Sequence, residues 1–277
     1  MKIIFTLVIF NNQYDEIKDL INSIIDLNND PRICFEIILS IHDNSMYYPN
    51  SKIYQLLKQK IDNSFAFIYT HKNKNIGYGR GNNSAFFAAK KNKTLNKNDL
   101  VIVVNPDISF KKDEIISILN FLSKETSDNV VCLSPTMYNT QNDLQFSARE
   151  NPTLLSLLIS RIKFLENFKL LKEYISKKQN RVATSKFIFE SQFLSGCFLV
   201  IKGNIFDYIK GFDERYFLHF EDADITRELS KIGKCIHFPY AKIQHRWNRG
   251  SHKSPKQTIL LINSMIKYFT KWGLNIF

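Results

Sequence analysis

The sequence is poor in glycine and proline, 9 and 7 in 277 residues, and has no low-complexity stretch and no internal repeat. That excludes a flexible, linker-built organisation. Cysteine is also scarce. Cys34, Cys132, Cys197 and Cys235 stand apart with no paired spacing, each in an apolar run. This argues against a disulfide framework or a zinc site and predicts small buried thiols in a reducing compartment. No apolar run approaches the ~18–20 residues that span a bilayer. The apolar start, residues 3–10, is too short for a signal peptide and leads into a polar turn. A cytoplasmic protein is the expectation.

Acid is the scarcer charge: 26 Asp and Glu against 38 Lys and Arg give +12. The excess is local. Residues 227–277 hold ten Lys or Arg and one acid, Glu228, a net of +9; residues 160–190 hold eight against three, a net of +5. Such a field suits phosphates, nucleic acid or an anionic membrane surface, and equally a solvated basic face. Nucleic acid is disfavoured, because the basic residues build neither a recognisable reading helix nor an aromatic stacking platform. The stretches 154–178 and 256–272 are basic and amphipathic and carry Phe164, Phe168, Tyr268, Phe269 and Trp272. They fit a bilayer surface or a core-facing side.

What the sequence does have is alternation. Residues 3–10 form a continuous apolar, β-branched run, as a buried parallel strand requires. Ile17, Leu20, Ile21, Ile24 and Ile25 mark one face of a helix. Strands over 35–41, 65–69 and 100–104 then alternate with helices over 53–61 and from a glycine segment to Ala89. This is the pattern of an open, mostly parallel α/β sheet with helices on both faces. Ligands of such sheets bind beyond the carboxyl ends of the strands. The second half is less regular. Helices are expected over 113–122, within 154–178 and over 258–272, the last with Ile259, Ile262, Ile266 and Phe269 on one side. Strands are expected over 130–134, 194–201 and 235–238.

A few places in this order carry chemistry. Asp43 follows the second strand, where a carboxylate accepts hydrogen bonds from a base or ribose, or caps a helix. Asn75-Ile-Gly-Tyr-Gly-Arg-Gly-Asn-Asn83 follows the third strand with a Gly-x-Gly-x-Gly spacing that is not a dinucleotide fingerprint. It reads as a glycine-permitted turn or as backbone approaching a nucleotide, with Arg80 near the phosphates. Asn105-Pro106-Asp107 ends the fourth strand as a Pro-Asp turn, or as a carboxylate placed to hold Mg²⁺ or Mn²⁺ on a diphosphate. Glu221, Asp222 and Asp224 open a helix marked by Ile225, Leu229 and Ile232; carboxylates there also cap free N–H groups. Beyond His245, Arg246-Trp-Asn-Arg-Gly-Ser-His-Lys253 offers a diphosphate four potential cations, Arg249 among them.

That order resembles the family 2 inverting glycosyltransferases of the GT-A fold, over nearly the whole chain. The glycine segment is similar to that of the bacterial polysaccharide branch, which includes many rhamnosyltransferases, and Gln145-Phe-Ser-Ala-Arg149 with Pro152-Thr153 also resembles that branch. Asn105-Pro106-Asp107 stands at the family's Asp-x-Asp. Ser195-Gly-Cys-Phe-Leu-Val-Ile201, Gly211-Phe-Asp-Glu-Arg-Tyr-Phe217 and Glu221-Asp-Ala-Asp224 resemble its acceptor-side core, and His245 matches its late metal-binding histidine.

The resemblance implies a glycosyltransferase unit over 1–250, with a nucleotide-binding half (1–110) and an acceptor-side half (111–250), followed by a basic helix over 251–277. It implies nucleotide contacts from Asp43, Asn75, Gly77, Gly79, Arg80, Asn105 and Arg249, with Asp43 at the base. A divalent ion, Mg²⁺ or Mn²⁺, would sit on Asp107 and His245 alone, since Asn105 replaces the first Asp of the metal motif. Asp222 would be the general base, and Glu221, Asp224 and Arg149 would support it or bind acceptor. Phe217, His219 and Phe220 would wall the pocket. The implied reaction moves rhamnose from dTDP-rhamnose, or next a hexose from a UDP donor, onto a growing lipid-linked glycan at the inner membrane face, by direct displacement with inversion. Taken without the resemblance, Asp107, Asp222 and Asp224 also suit a metal-dependent phosphohydrolase or nuclease.

Overall fold

A strand that is apolar at every position must be covered on both faces, because successive side chains point to opposite sides. The computed structural model describes residues 1–46, 51–62, 64–91, 94–161, 168–179, 186–246 and 255–276, and its first strand obeys that rule. The first half runs β1 (Lys2–Ile9), α1 (Tyr14–Asn28), β2 (Glu36–Asp43), α2 (Ser51–Ile61), β3 (Ala66–His71), α3 (Tyr78–Lys90) and β4 (Leu100–Val104). Ile3, Phe5, Leu7 and Ile9 of β1 pack with Ile17, Leu20 and Ile24 of α1, and with Ile53 and Leu57 of α2. Ile4 faces the other way, in a cluster with Val101, Val103 and Phe86 of α3.

The second half adds β5 (Ile108–Phe110), α4 (Lys112–Leu122), β6 (Val130–Tyr138), β7 (Leu144–Gln145), β8 (Ala148–Arg149), α5 (Leu154–Arg161) and α6 (Lys169–Lys178). Then come β9 (Phe189–Glu190), β10 (Phe193–Leu194), β11 (Phe198–Lys202), α7 (Gly203–Tyr208), α8 (Glu221–Leu229), β12 (Lys234–His245) and α9 (Pro255–Trp272). The main sheet has the order β3-β2-β1-β4-β11-β6-β12-β5. β1 to β4 pair in parallel, β11 runs antiparallel between β4 and β6, and β12 runs parallel to β6. The mostly parallel α/β sheet expected from the sequence is present.

Several expectations change. The strand expected over 194–201 is broken at Ser195-Gly196-Cys197 into β10, which pairs with β8, and β11 in the main sheet. The strand expected over 235–238 runs on to His245. The glycine turn is short, because Gly79 and Gly81 already lie inside α3. Of the thiols, Cys34 is exposed, and Cys132 and Cys235 are buried opposite each other on β6 and β12.

The face of α9 also differs. Its inward side is Leu261, Met265, Tyr268, Phe269 and Trp272, packed on Tyr216, Phe220 and Ala223. Ile259, Ile262 and Ile266 are exposed. Tyr268, Phe269 and Trp272 therefore serve the core and not an outer surface. Phe164 and Arg249 lie outside the described residues.

Charge locks this helix in place. Asp224, 1% exposed, accepts from Lys271 Nζ at 2.8 Å, Trp272 Nε1 at 2.7 Å and the Tyr216 hydroxyl at 3.2 Å. Lys271 also reaches Asp213 and Glu228. Removing one partner of such a buried pair strands the other. Asp224→Ala is expected to lower stability by about 3 kcal/mol, read as a lower urea midpoint; an unchanged midpoint would contradict the clamp.

Candidate functional site

Beyond the ends of β1, β2 and β4, backbone is held by amide side chains. Asn44 donates from Nδ2 to Gly77 O at 3.0 Å and accepts at Oδ1 from Ile76 N at 3.1 Å. Asn75 Oδ1 accepts from Gly77 N at 2.8 Å. Gly77 has φ +92°, open to glycine and strained for other residues. A Cβ there would also collide with the Phe217 carbonyl, which accepts from Tyr78 N at 3.0 Å. The glycine segment is thus pinned to the loop before α8.

Tyr78 carries the connection into the site. Its hydroxyl lies 2.9 Å from Asn105 Oδ1 and 2.7 Å from Gly196 O, and burial holds the phenol well above its ordinary pKa. Gly196 N in turn donates to Asp222 Oδ2 at 3.2 Å, and Ala223 N donates to Asp222 Oδ1 at 3.0 Å. A Cβ at residue 196 would sit 3.2 Å from the Asp222 Cβ. Burial raises the Asp222 carboxyl, and these two N–H groups and the Arg149 charge pull it partly back. Arg149 stacks over Phe193 at 5.7 Å and donates from Nε to Phe146 O. The result is a carboxylate with two fixed N–H donors and a nearby guanidinium, well suited to take a proton.

Asp107 and His245 form the other side. His245 Nε2 is 3.4 Å from Asp107 Oδ1, near the ~3 Å edge between adjacent ligands of a cation with ~2.1 Å bonds. His245 Nδ1 is 2.7 Å from Gln145 Oε1, and Gln145 Nε2 donates to His245 O at 3.1 Å. Gln145 therefore orients Nε2 toward Asp107, as partners of metal-binding histidines do. Burial works against the imidazolium and the hydrogen bond to Asp107 favours it, the latter winning where no cation is bound; a cation on Nε2 would take the place of that proton. This donor set fits a divalent cation sharing the rest of its shell with diphosphate oxygens and water. Among the described residues no group of three His, Cys, Asp or Glu could hold an ion without such help.

Tyr78, Asn44 and Cys197 went unassigned in the sequence, and Gln145 was quoted there without a role. Tyr78 lay in view between two glycines, but nothing local signals where its hydroxyl ends.

Other expected residues stand apart from this group. Asp43 is fully buried at the end of β2, with Oδ2 taken by the Tyr69 hydroxyl at 2.5 Å and Oδ1 by Ser45 N at 2.8 Å. Arg80 donates from Nε to Glu214 O and pairs with that carboxylate. Gly79 packs against Phe212. Asp224 is committed to α9. Phe220 is buried against Tyr268, while Phe217 and His219 stay half-buried. Arg246, at the start of the basic loop, pairs with Asp19.

The family model described as Glycosyl transferase family 2 matches residues 6–196. Among curated proteins the chain is similar to rhamnosyltransferase WbbL of Escherichia coli K12, 26% identical over 163 residues, 58% of this chain and 57% of that one. It is also similar to N-acetylglucosaminyl-diphospho-decaprenol L-rhamnosyltransferase of Mycobacterium tuberculosis, 28% identical over 159 residues, 57% of this chain and 50% of that one. The chain spans about half the length of these relatives. Among solved structures it is similar to GalNAc-T7 with UDP, GalNAc and Mn²⁺, with TM-score 0.63 and 13% identity over 97% of this chain and 47% of that one. The mannosyltransferase PcManGT from Pyrobaculum calidifontis with GDP-Man and Mn²⁺ gives TM-score 0.61 and 13% identity over 98% and 63%. At such identity the likeness speaks for the shared GT-A fold.

Beside Asp222, Glu221 is 5% exposed, and its Oε2 has no hydrogen-bond partner among the described residues. Burial first, and the Asp222 charge second, push its carboxyl from 4.5 up to about 8. Between those values the unfolded chain ionises while the folded one keeps the proton, so this group makes stability fall as pH rises through that window. Glu221→Gln cannot ionise. Its stability relative to the unaltered protein should therefore climb as pH rises from 4.5 to about 8, measured by denaturant unfolding; a pH-independent difference would contradict a buried neutral acid.

Proposed function

The chain belongs to glycosyltransferase family 2, and on that premise we propose that it moves a sugar from a nucleoside-diphosphate donor to a hydroxyl of a growing, lipid-linked bacterial surface glycan. The observation that carries the reading is the Asp222 carboxylate fixed by Gly196, joined through Tyr78 and Asn105 to the turn that holds Asp107. A base and a diphosphate-binding corner are thus held in one hydrogen-bonded frame. The names of the two rhamnosyltransferase relatives favour rhamnose as the sugar; dTDP-rhamnose is the donor we put first, with a UDP-hexose next. The second relative's name favours an isoprenoid-diphosphate acceptor.

In this mechanism the acceptor hydroxyl attacks the anomeric carbon from the side opposite the diphosphate. The new C–O bond forms as the bond to the diphosphate oxygen breaks, and configuration inverts. Asp222 takes the hydroxyl proton as attack proceeds. Asp107 and His245 would hold a divalent cation, Mg²⁺ or Mn²⁺, which would offset the negative charge growing on the departing diphosphate. Arg149 adds fixed positive charge beside the base. Asp43, Asn44 and Asn75 shape the nucleotide end. The phosphohydrolase reading loses its third carboxylate, since Asp224 is occupied by Lys271 and Trp272.

A lipid-linked acceptor supports a position at the cytoplasmic membrane face. No helix among the described residues is long and apolar enough to cross a membrane. The exposed Ile259, Ile262 and Ile266 of α9 and Phe168 and Leu170 at α6, together with the basic 227–277 segment, support peripheral contact with anionic lipid.

Asp222→Asn should abolish sugar transfer while leaving nucleotide affinity within about twofold, since it removes proton acceptance and not donor binding; transfer at the normal rate would contradict the assignment of the base. Gln145→Ala should weaken Mn²⁺ binding in the presence of nucleotide by about 10–100-fold, followed by calorimetry; unchanged affinity would show that His245 needs no orienting partner.

A further inference from the structure

Arg227 lies five residues beyond Asp222 on α8, about 140° further round the helix, so it serves a different face. There it borders a cavity of about 350 Å³ between α8, the end of α9 and the Asn151-Pro152 turn. Two cations line it, Arg227 and Lys178, with the amide side chains of Asn151, Gln192 and Asn275. No Asp or Glu is among the described residues that line it.

The arginine is set in place. Its guanidinium lies 4.4 Å from the centre of the Trp272 ring, and its charge favours the ionised form of the nearby Tyr268 phenol, whose hydroxyl donates to Asn151 Oδ1 at 3.2 Å. Nearby acids are engaged elsewhere: Glu228 with Lys231 and Lys271, and Glu150 with Lys178. Among the described residues no carboxylate forms an ion pair with Arg227. A half-buried guanidinium close to an indole, beside amide groups and with no acid partner among the described residues, suits an oxyanion. The rim is the opposite in character. Leu274, which lines the cavity, is 63% exposed.

We propose that this cavity binds the phosphate or diphosphate group of a lipid, with Arg227 as its principal contact and Leu274 against the chain. A free anion would use the cations but leave the apolar rim without a role. Membrane proteins hold lipid phosphates in basic pockets beside apolar surface in the same way. The inference deepens the lipid-linked reading above, and it is tested by binding so that the two can fail separately.

The test is co-sedimentation of the full chain with phosphatidylcholine vesicles, either plain, doped with a polyprenyl phosphate, or doped with phosphatidylglycerol. The protein should sediment with at least one of the two anionic doped sets and not with the plain, zwitterionic vesicles. Arg227→Gln should reduce that binding at least tenfold while nucleotide affinity stays unchanged. Preference for polyprenyl phosphate would identify the acceptor's lipid, and equal binding to phosphatidylglycerol would identify a general headgroup site; both support the cavity. Should Arg227→Gln fail to fold by thermal melt, Arg227→Lys, which keeps the charge and loses the planar fork, should still weaken that binding several-fold. Undiminished binding by a folded variant, or no binding by the unaltered protein, overturns the proposal, and with nucleotide affinity intact the transferase reading would still stand.

Discussion

The site depends on how closely Gly196 approaches Asp222. β11 enters the main sheet just after this point, and the Gly196 N–H reaches the carboxylate at 3.2 Å. The same glycine's carbonyl takes the Tyr78 hydroxyl, which also touches Asn105 at the turn beyond β4. One break in a strand therefore joins the two halves of the chain. A side chain at residue 196 would press on the Asp222 Cβ, shifting that carboxylate and the Tyr78 bridge together.

The second constraint is the entry into α8. His219 and Phe220 both take left-handed conformations, φ 70° and 65°, which cost of order 1–3 kcal/mol each for such residues. The surroundings hold them there. Phe220 packs against Tyr268 of α9, Ser264 Oγ donates to Leu218 O, Lys267 Nζ donates to Arg215 O, and Asp224 ties α8 to Lys271 and Trp272. The C-terminal helix thus acts as a brace for the turn that aims Asp222. Strain is concentrated at the carboxylate turn, as it often is at functional sites.

Much of the first half was legible in the sequence because its strands are covered on both sides, so apolar runs and strand ends coincide with β1, β2 and β4. Asp107 and His245 could be singled out because each sits at or just after a strand end. The second half hid more. β7 to β10 are two residues each, too short for any periodic signal. Asp222 and Asp224, two apart on a helix, must face different ways, but spacing alone does not say which one meets the site. α9 carries two apolar stripes, and only the aromatic partners on α8's approach decide that the Tyr268 side is inward. Arg80 and Asp43 read as ligand contacts by position, yet Glu214 and Tyr69, distant in sequence, take up their polar groups.

The central claim is a direct displacement promoted by Asp222 at a donor diphosphate held near Asp107 and His245. The most direct measurement is the anomeric configuration of the product by NMR, after incubating the purified protein with a panel of nucleotide sugars and a lipid-linked acceptor. Transfer with inversion at the anomeric carbon is the predicted result. Transfer with retention, or release of free sugar with no glycosidic product from any donor, would contradict the account.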